Sequence, residues 1–235
     1  MQNLTLNDLL QAGVHFGHQK AKWHPKMRSF LFAERNGVHV IDLEKTLEKL
    51  QEASEFAEKI GENGGSILFI STKSQAKNII EKYATQAGMP YIKERWVGGL
   101  FTNYSNVGKL IKKYKSLKEQ RDSGALSKYT KKEQVEFGKE IERLEKMVGG
   151  LGGMTKLPDA IFVVDAKREK TAILEAKKRK IPVISFADSN INPDMIDYPI
   201  PANDDAVNSI DLITRTIAES INFGKVKQSK EKKAE

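Results

Sequence analysis

Residues 14–27 read VHFGHQKAKWHPKM and hold three of the chain's four histidines, His15, His18 and His24. Lys20, Lys22, Lys26 and one of only two tryptophans, Trp23, lie among them. Imidazoles at such spacing can ligate a metal, act as a base, or join ammonium groups in donating hydrogen bonds to phosphate. Against the metal, Gly17 weakens any helix that would align His15 with His18, and no HExxH motif supplies further ligands. Against local nucleophilic catalysis, the chain has no cysteine and no Gly-x-Ser-x-Gly, although a triad assembled from distant residues stays open. The phosphate reading has the most behind it, because KAKWHPKMR sets Lys20, Lys22, Lys26 and Arg28 around Trp23, His24 and a chain-stiffening Pro25.

Two further stretches carry the same chemistry. KERWVGGLFTNY (93–104) supplies Arg95 beside Trp96 and then Asn103. Lys109, Lys112, Lys113, Lys115 and Lys118 fall within ten residues. Cations neutralise phosphates and aromatic rings stack on unpaired bases, while either tryptophan equally suits a core anchor. Asp188, Asp204 and Asp205 form an acidic counterpart, at a strand's end and before the last helix. They fit either a hard cation such as magnesium or ordinary capping.

The charge distribution sharpens this. The chain has 39 Lys and Arg against 31 Asp and Glu, net +8. Residues 104–157 alone carry a net +6 and residues 225–235 a net +3, whereas 158–224 are net −3. Local basicity of this kind points to a polyanionic partner. The competing reading is a solvated helical face whose lysines pair with Glu119, Glu136, Glu140 and Glu142. No RRM, KH or zinc-finger signature is present, so recognition would be of shape and phosphate geometry. Neither GxGxxG nor GxxxxGK[ST] occurs, which leaves a nucleotide-binding enzyme unsupported. The absence of cysteine fits a reducing compartment, and neither a secretory leader nor a run of about 18 apolar residues is seen. A soluble cytoplasmic protein with no membrane contact is expected.

These residues need elements to position them. VHVIDLE (38–44) reads as a strand and feeds a helix with apolar residues at Leu47, Leu50, Phe56, Ala57 and Ile60. SILFIS (66–71), AIFVVD (160–165) and PVISFAD (182–188) are continuous apolar runs, as in strands buried on both faces of a parallel sheet. Helical stretches alternate with them, KSQAKNIIEKYATQAG, EKTAILEAKKRK and DDAVNSIDLITRTIAESINF. The alternation predicts an α/β fold with helices on both faces. Residues 104–151 break the pattern: Val107, Leu110, Tyr114 and Leu117, then Phe137, Ile141, Leu144, Val148 and Leu151, form two stripes spaced three and four apart. They predict an antiparallel coiled-coil hairpin inserted into the α/β domain, or else two helices packed on its core. The predicted organisation is an α/β domain from 1–103 and 152–224, the hairpin from 104–151, and a disordered basic tail from 225–235. GGLGG (149–153) reads as a hinge or a close backbone approach.

AGVHFGHQ (12–19), WHPKM (23–27), ERNGVHVIDLEKT (34–46), ILFISTKSQA (67–76), RWVGGLFTN (95–103), LPDAIFVVDA (157–166), IPVISFADSN (181–190) and NDDA (203–206) together resemble the family of bacterial small-subunit ribosomal protein two. The resemblance runs from near residue 5 to about residue 222. It implies a flavodoxin-like (Rossmann-like) α/β domain with the inserted hairpin, and a structural protein, not an enzyme. It further implies binding of small-subunit ribosomal RNA near the head-body junction and docking of ribosomal protein one, which captures messenger RNA. The chain would be a monomer within the ribosome, among neighbouring small-subunit proteins, with no cofactor. Its RNA-side candidates are the 15–28 stretch, the RWVGG block and the basic hairpin. Three positions depart from the family pattern: His24 stands where Asn is expected, Ile191 and Asn192 where Ser and Asp are, and Ala202 where Gly is. The missing aspartate at 192 weakens a cation site built on that loop.

Overall fold

The computed structural model describes residues 4–231. Helix α1 (Leu6–Gln11) starts at a capping box, in which Thr5 and Asp8 satisfy each other's backbone amides. Three strands follow, β1 (Phe16–Gln19), β2 (Leu31–Arg35) and β3 (Val38–Ile41), as an antiparallel sheet in the order β1-β3-β2. The β2–β3 turn is Asn36-Gly37 with both φ angles positive, 52° and 75°. That two-residue turn matches the twist of the strands it joins.

Helix α2 (Leu43–Glu62) is capped by Asp42, whose side chain accepts from the Glu44 and Lys45 amides. Then come β4 (Ile67–Ile70), α3 (Lys77–Gln86), β5 (Tyr91–Ile92), α4 (Tyr104–Asp122) and α5 (Lys131–Val148). The chain finishes with β6 (Ala160–Val163), α6 (Lys170–Lys178), β7 (Val183–Phe186), β8 (Tyr198–Ile200) and α7 (Val207–Glu231). Strands β5-β4-β6-β7-β8 form one sheet, in that order, with every pair parallel. Pro199 is accommodated because β8 is an edge strand.

Side chains alternate across this sheet. Ile67, Phe69, Phe162, Ile184 and Phe186 join a core under α2, α3 and α7. Leu68, Ile70, Ile161, Val163 and Val183 join a second core with α6. The inserted helices α4 and α5 lie against each other, with Lys113 Nζ 2.7 Å from Glu140 and Tyr114 donating to Glu145 at 3.3 Å. Their buried stripe is Val107, Ile111, Tyr114 and Leu117 facing Ile141, Leu144 and Val148, and it is continuous with the second core. Ile111, not the expected Leu110, is the buried member, and Leu110 packs half-buried at its margin. At the exit, a Cβ on Gly150 would sit 2.2 Å from the Tyr91 carbonyl oxygen. The glycines there permit close backbone packing on the edge of β5.

The tail differs from expectation. Residues 225–231 continue α7, while 232–235 lie outside the described residues. A Cβ on Gly224 would lie 2.1 Å from the Glu58 carbonyl oxygen, so α7 presses directly on α2. Beyond that contact Lys225 donates to the Ala87 carbonyl at 2.6 Å, and Lys227 pairs with Glu58 and Glu62. Tertiary partners offset the ordering cost that low local hydrophobicity leaves unmet. No helix among the described residues is long and apolar enough to cross a membrane.

Candidate nucleic-acid interface

Loops at the carboxyl ends of the parallel strands gather a charge cluster. Lys73, just after β4, is 7 % exposed, and its Nζ lies 2.7 Å from Asp204, 2.6 Å from Asp205 and 3.6 Å from Asp165. Asp165, two residues beyond β6, takes a left-handed conformation, φ 66°, in which its carboxylate accepts from the Arg168 amide at 2.9 Å. His18, on β1, reaches Asp188 at 3.0 Å and Asp205 at 3.7 Å, so the small sheet is pinned to the large one. The Ser189 hydroxyl strengthens the joint by accepting from the His18 amide at 2.7 Å.

The electrostatics follow from burial and sign. The hydrogen bond to Asp188 raises the His18 pKa, and burial only partly opposes it. Burial and the neighbouring Asp188 and Asp165 push Asp204 up to about 7, against the pull of Lys73. Burial works against the Lys73 ammonium too, but Asp204, Asp205 and Asp165 outweigh it and raise its pKa. The residues offered for a hard cation are therefore divided: Asp204 and Asp205 face an internal ammonium and Asp188 faces an imidazole. Among the described residues, no group of three or more acidic or imidazole side chains is arranged to hold a metal ion.

The RWVGGLFTN block is organised by a residue the motif search did not single out. Glu175 on α6 is buried and accepts from the Trp96 indole at 3.1 Å, the Gly99 amide at 2.8 Å and the Phe101 amide at 3.1 Å. Arg179, one turn on, donates to the carbonyls of Phe101 and Thr102 at 2.8 and 3.0 Å. A charged pair at i and i+4 thus clamps a glycine-containing loop from both its donor and acceptor sides. The only advance signal for Glu175 was an acid within the apolar stripe of EKTAILEAKKRK.

The basic and aromatic candidates separate into engaged and available groups. Lys20 pairs with Glu34 at 2.9 Å, Lys26 with Asp194, and Lys113 with Glu140. Arg143 and Lys113 together hold Glu140 down to about 2. Trp23 is half-buried with its ring 5.1 Å from that of His39, and Trp96 packs edge-on against Phe101 at 5.0 Å. His15 packs against Phe16 with ring centroids 4.0 Å apart and the rings tilted by 38°, and burial lowers its pKa, which favours the neutral ring. His24 caps the turn it precedes, accepting from the Lys26 amide at 3.2 Å. Lys22, Arg28, Arg95, Lys109 and Lys112 are exposed and enter no ion pair among the described residues. Asn103 is exposed at the start of α4 and makes no capping bond.

A separate apolar surface completes the picture. Phe32, Phe16 and Leu10 are 76 %, 55 % and 51 % exposed. Phe32 and Leu10 line an open groove of about 580 Å³ with Leu6, His15, Val40 and Leu43. Of these residues only His15 and Phe16 fall within the 15–28 stretch expected to face RNA; the others carry no such expectation.

Comparison with known proteins gives a consistent result. The chain matches the family model described as ribosomal protein S2 over residues 9–224. It is 49 % identical over 225 residues to the small ribosomal subunit protein uS2 of Coprothermobacter proteolyticus, covering 96 % of this chain and 84 % of that relative. It is likewise 49 % identical over 225 residues to the protein of that name from Fusobacterium nucleatum subsp. nucleatum, covering 95 % of this chain and 91 % of the relative.

Proposed function

The chain belongs to the ribosomal protein S2 family, and from that premise we propose that it binds small-subunit ribosomal RNA near the head-body junction through cations its own fold leaves unneutralised. As a member of that family it is a non-enzymatic, structural constituent of the small ribosomal subunit, acting in translation. Its place of work is the cytoplasmic ribosome, as one copy among neighbouring small-subunit proteins. The observation that carries the RNA reading is the contrast within one class of side chain. The lysine at the strand ends is buried among three carboxylates, whereas Lys22, Arg28, Arg95, Lys109 and Lys112 are exposed and have no acidic partner among the described residues. Exposed unpaired cations on rigid helices and loops suit phosphate neutralisation, whose affinity falls steeply with salt.

Binding to small subunits stripped of this protein, measured over a salt series, tests the reading. Saturable one-to-one binding is expected, with log affinity falling linearly against log salt. Changing Lys109 and Lys112 to Glu is expected to weaken binding by about tenfold or more and to reduce the slope by roughly 2. Absence of binding at low salt, or a slope untouched by the double change, overturns it.

The exposed apolar groove is the surface we assign to docking of ribosomal protein one. Contiguous exposed apolar area on one face of a small protein marks an interaction site. Phe32→Ser is expected to lower retention of ribosomal protein one on reconstituted subunits while leaving RNA binding at wild-type strength. Unchanged retention would remove the assignment.

A further inference from the structure

One crevice of the parallel sheet is neither filled by the lysine cluster nor part of the apolar groove. Strand β4 leads to β5 on one side, and the chain then crosses to β6 on the other. The carboxyl ends of β4 and β6 therefore flank the point where the winding reverses, which is where ligands enter open α/β sheets. An open groove of about 510 Å³ lies there, lined by loops after three different strands. Thr72 follows β4, Arg95, Trp96 and Gly98 follow β5, Arg168 follows β6, and Thr171 is in the first turn of α6.

Its charges are arranged for an anion. Arg95 is exposed and enters no ion pair among the described residues. Arg168 donates its Nε to the Thr72 hydroxyl at 2.8 Å, which fixes the guanidinium and leaves its two terminal nitrogens for a ligand. The two acids in the lining are occupied. Glu94 pairs with Lys77 at 2.6 Å, and Glu169 accepts from the Thr72 amide and hydroxyl at 2.8 and 2.6 Å. Because Glu169 turns to Thr72, it does not cap α6, whose first turn opens beside Thr171. Trp96 is held in place by Glu175, so an indole forms one wall of the same groove.

We propose that this crevice takes one nucleotide of a single-stranded or looped RNA segment, its phosphate between Arg95 and Arg168 and its base beside Trp96. Planar guanidinium forks match phosphate oxygens, and an indole wall accepts any base. The site rests on the RNA-binding reading and adds Arg168, which no motif indicated.

The test uses the full chain carrying Trp23→Phe, so that Trp96 is the sole tryptophan. A fluorescein-labelled RNA oligonucleotide of about ten nucleotides is titrated by anisotropy, and Trp96 emission is followed in parallel with unlabelled RNA. RNA is expected to quench Trp96. Arg95→Gln with Arg168→Gln is expected to weaken binding about tenfold, abolish the quench and reduce the salt slope by roughly 0.7. Arg168→Lys alone keeps the charge without the fork and is expected to give an intermediate loss, and circular dichroism checks that each variant is folded. If the double variant binds and quenches like its parent while Lys109→Gln with Lys112→Gln weakens binding, the crevice assignment fails and the RNA reading stands. If the parent binds no RNA at low salt, both fail. Displacement of the oligonucleotide by adenosine monophosphate at equal concentration overturns the RNA assignment in favour of a free nucleotide.

Discussion

Lys73 and Lys112 carry the same ammonium group in opposite settings. Lys73 follows a buried strand, is almost wholly enclosed, and meets Asp204 and Asp205 within 2.7 Å. Lys112 stands on the outer side of α4 with no ion pair among the described residues. In the first setting the ammonium is buried and its charge is taken up by carboxylates of the same chain, so it offers nothing to a partner. In the second, solvent screens the charge until a phosphate approaches. Net charge alone does not distinguish the two, and only the second kind of lysine marks an interface.

The contrast is open to attack from both ends. Lys73→Met leaves Asp204, Asp205 and Asp165 facing one another without their cation. It is expected to cost about 3–5 kcal/mol in urea unfolding, and Asp204→Asn in the same chain should recover part of that. A change below about 1 kcal/mol would show that the cluster is wet and that the two lysines differ less than argued. Glu175→Ala strands the Gly99 and Phe101 amides and the Trp96 indole, for an expected loss of about 2–3 kcal/mol and a red shift of Trp96 emission. The exposed lysines should behave in the opposite way. Lys109→Gln with Lys112→Gln is expected to change stability by less than about 0.5 kcal/mol while lowering RNA affinity several-fold.

A pH-dependent effect belongs to His18, at the border between the regions. Its pKa is raised by Asp188, so its stabilisation is complete below the ordinary histidine value near 6.5 and is lost as pH rises through the higher folded value. Asp204, pushed up to about 7, acts in the same direction, because the folded state holds its proton over a range in which the unfolded chain has released it. Stability is therefore expected to fall as pH rises from about 6 to 8, and His18→Gln should flatten that dependence. An unchanged pH profile in the variant would mean that His18 does not tie β1 to the strand ends.

Much of the fold was legible in local pattern. Apolar runs at 67–70, 160–163 and 183–186 are strands, and the alternation with helices predicts the parallel sheet, because buried strands and amphipathic helices write their environment into residue order. The small antiparallel sheet is only half legible: VHVID has the pattern of a strand, but its pairing with LFAER rests on the two-residue Asn36-Gly37 turn. The candidate site was less legible still. Basic stretches announce a polyanion, yet nothing in their spacing tells that Lys26 meets Asp194 or that Lys113 meets Glu140, partners 168 and 27 residues away.

The sequence by itself determined the α/β class, the two inserted helical stripes, the local concentration of positive charge and, through its motif blocks, the family. These are properties of neighbouring residues, carried by periodicity, propensity and composition. Tertiary structure alone decided which charges remain available, that Glu175 builds the RWVGG loop, and that Arg95, Arg168 and Trp96 share one crevice. Each of those depends on loops from distant strands meeting at one sheet edge, where distance and burial set the strength of an interaction. Neither quantity exists until the chain has closed on itself.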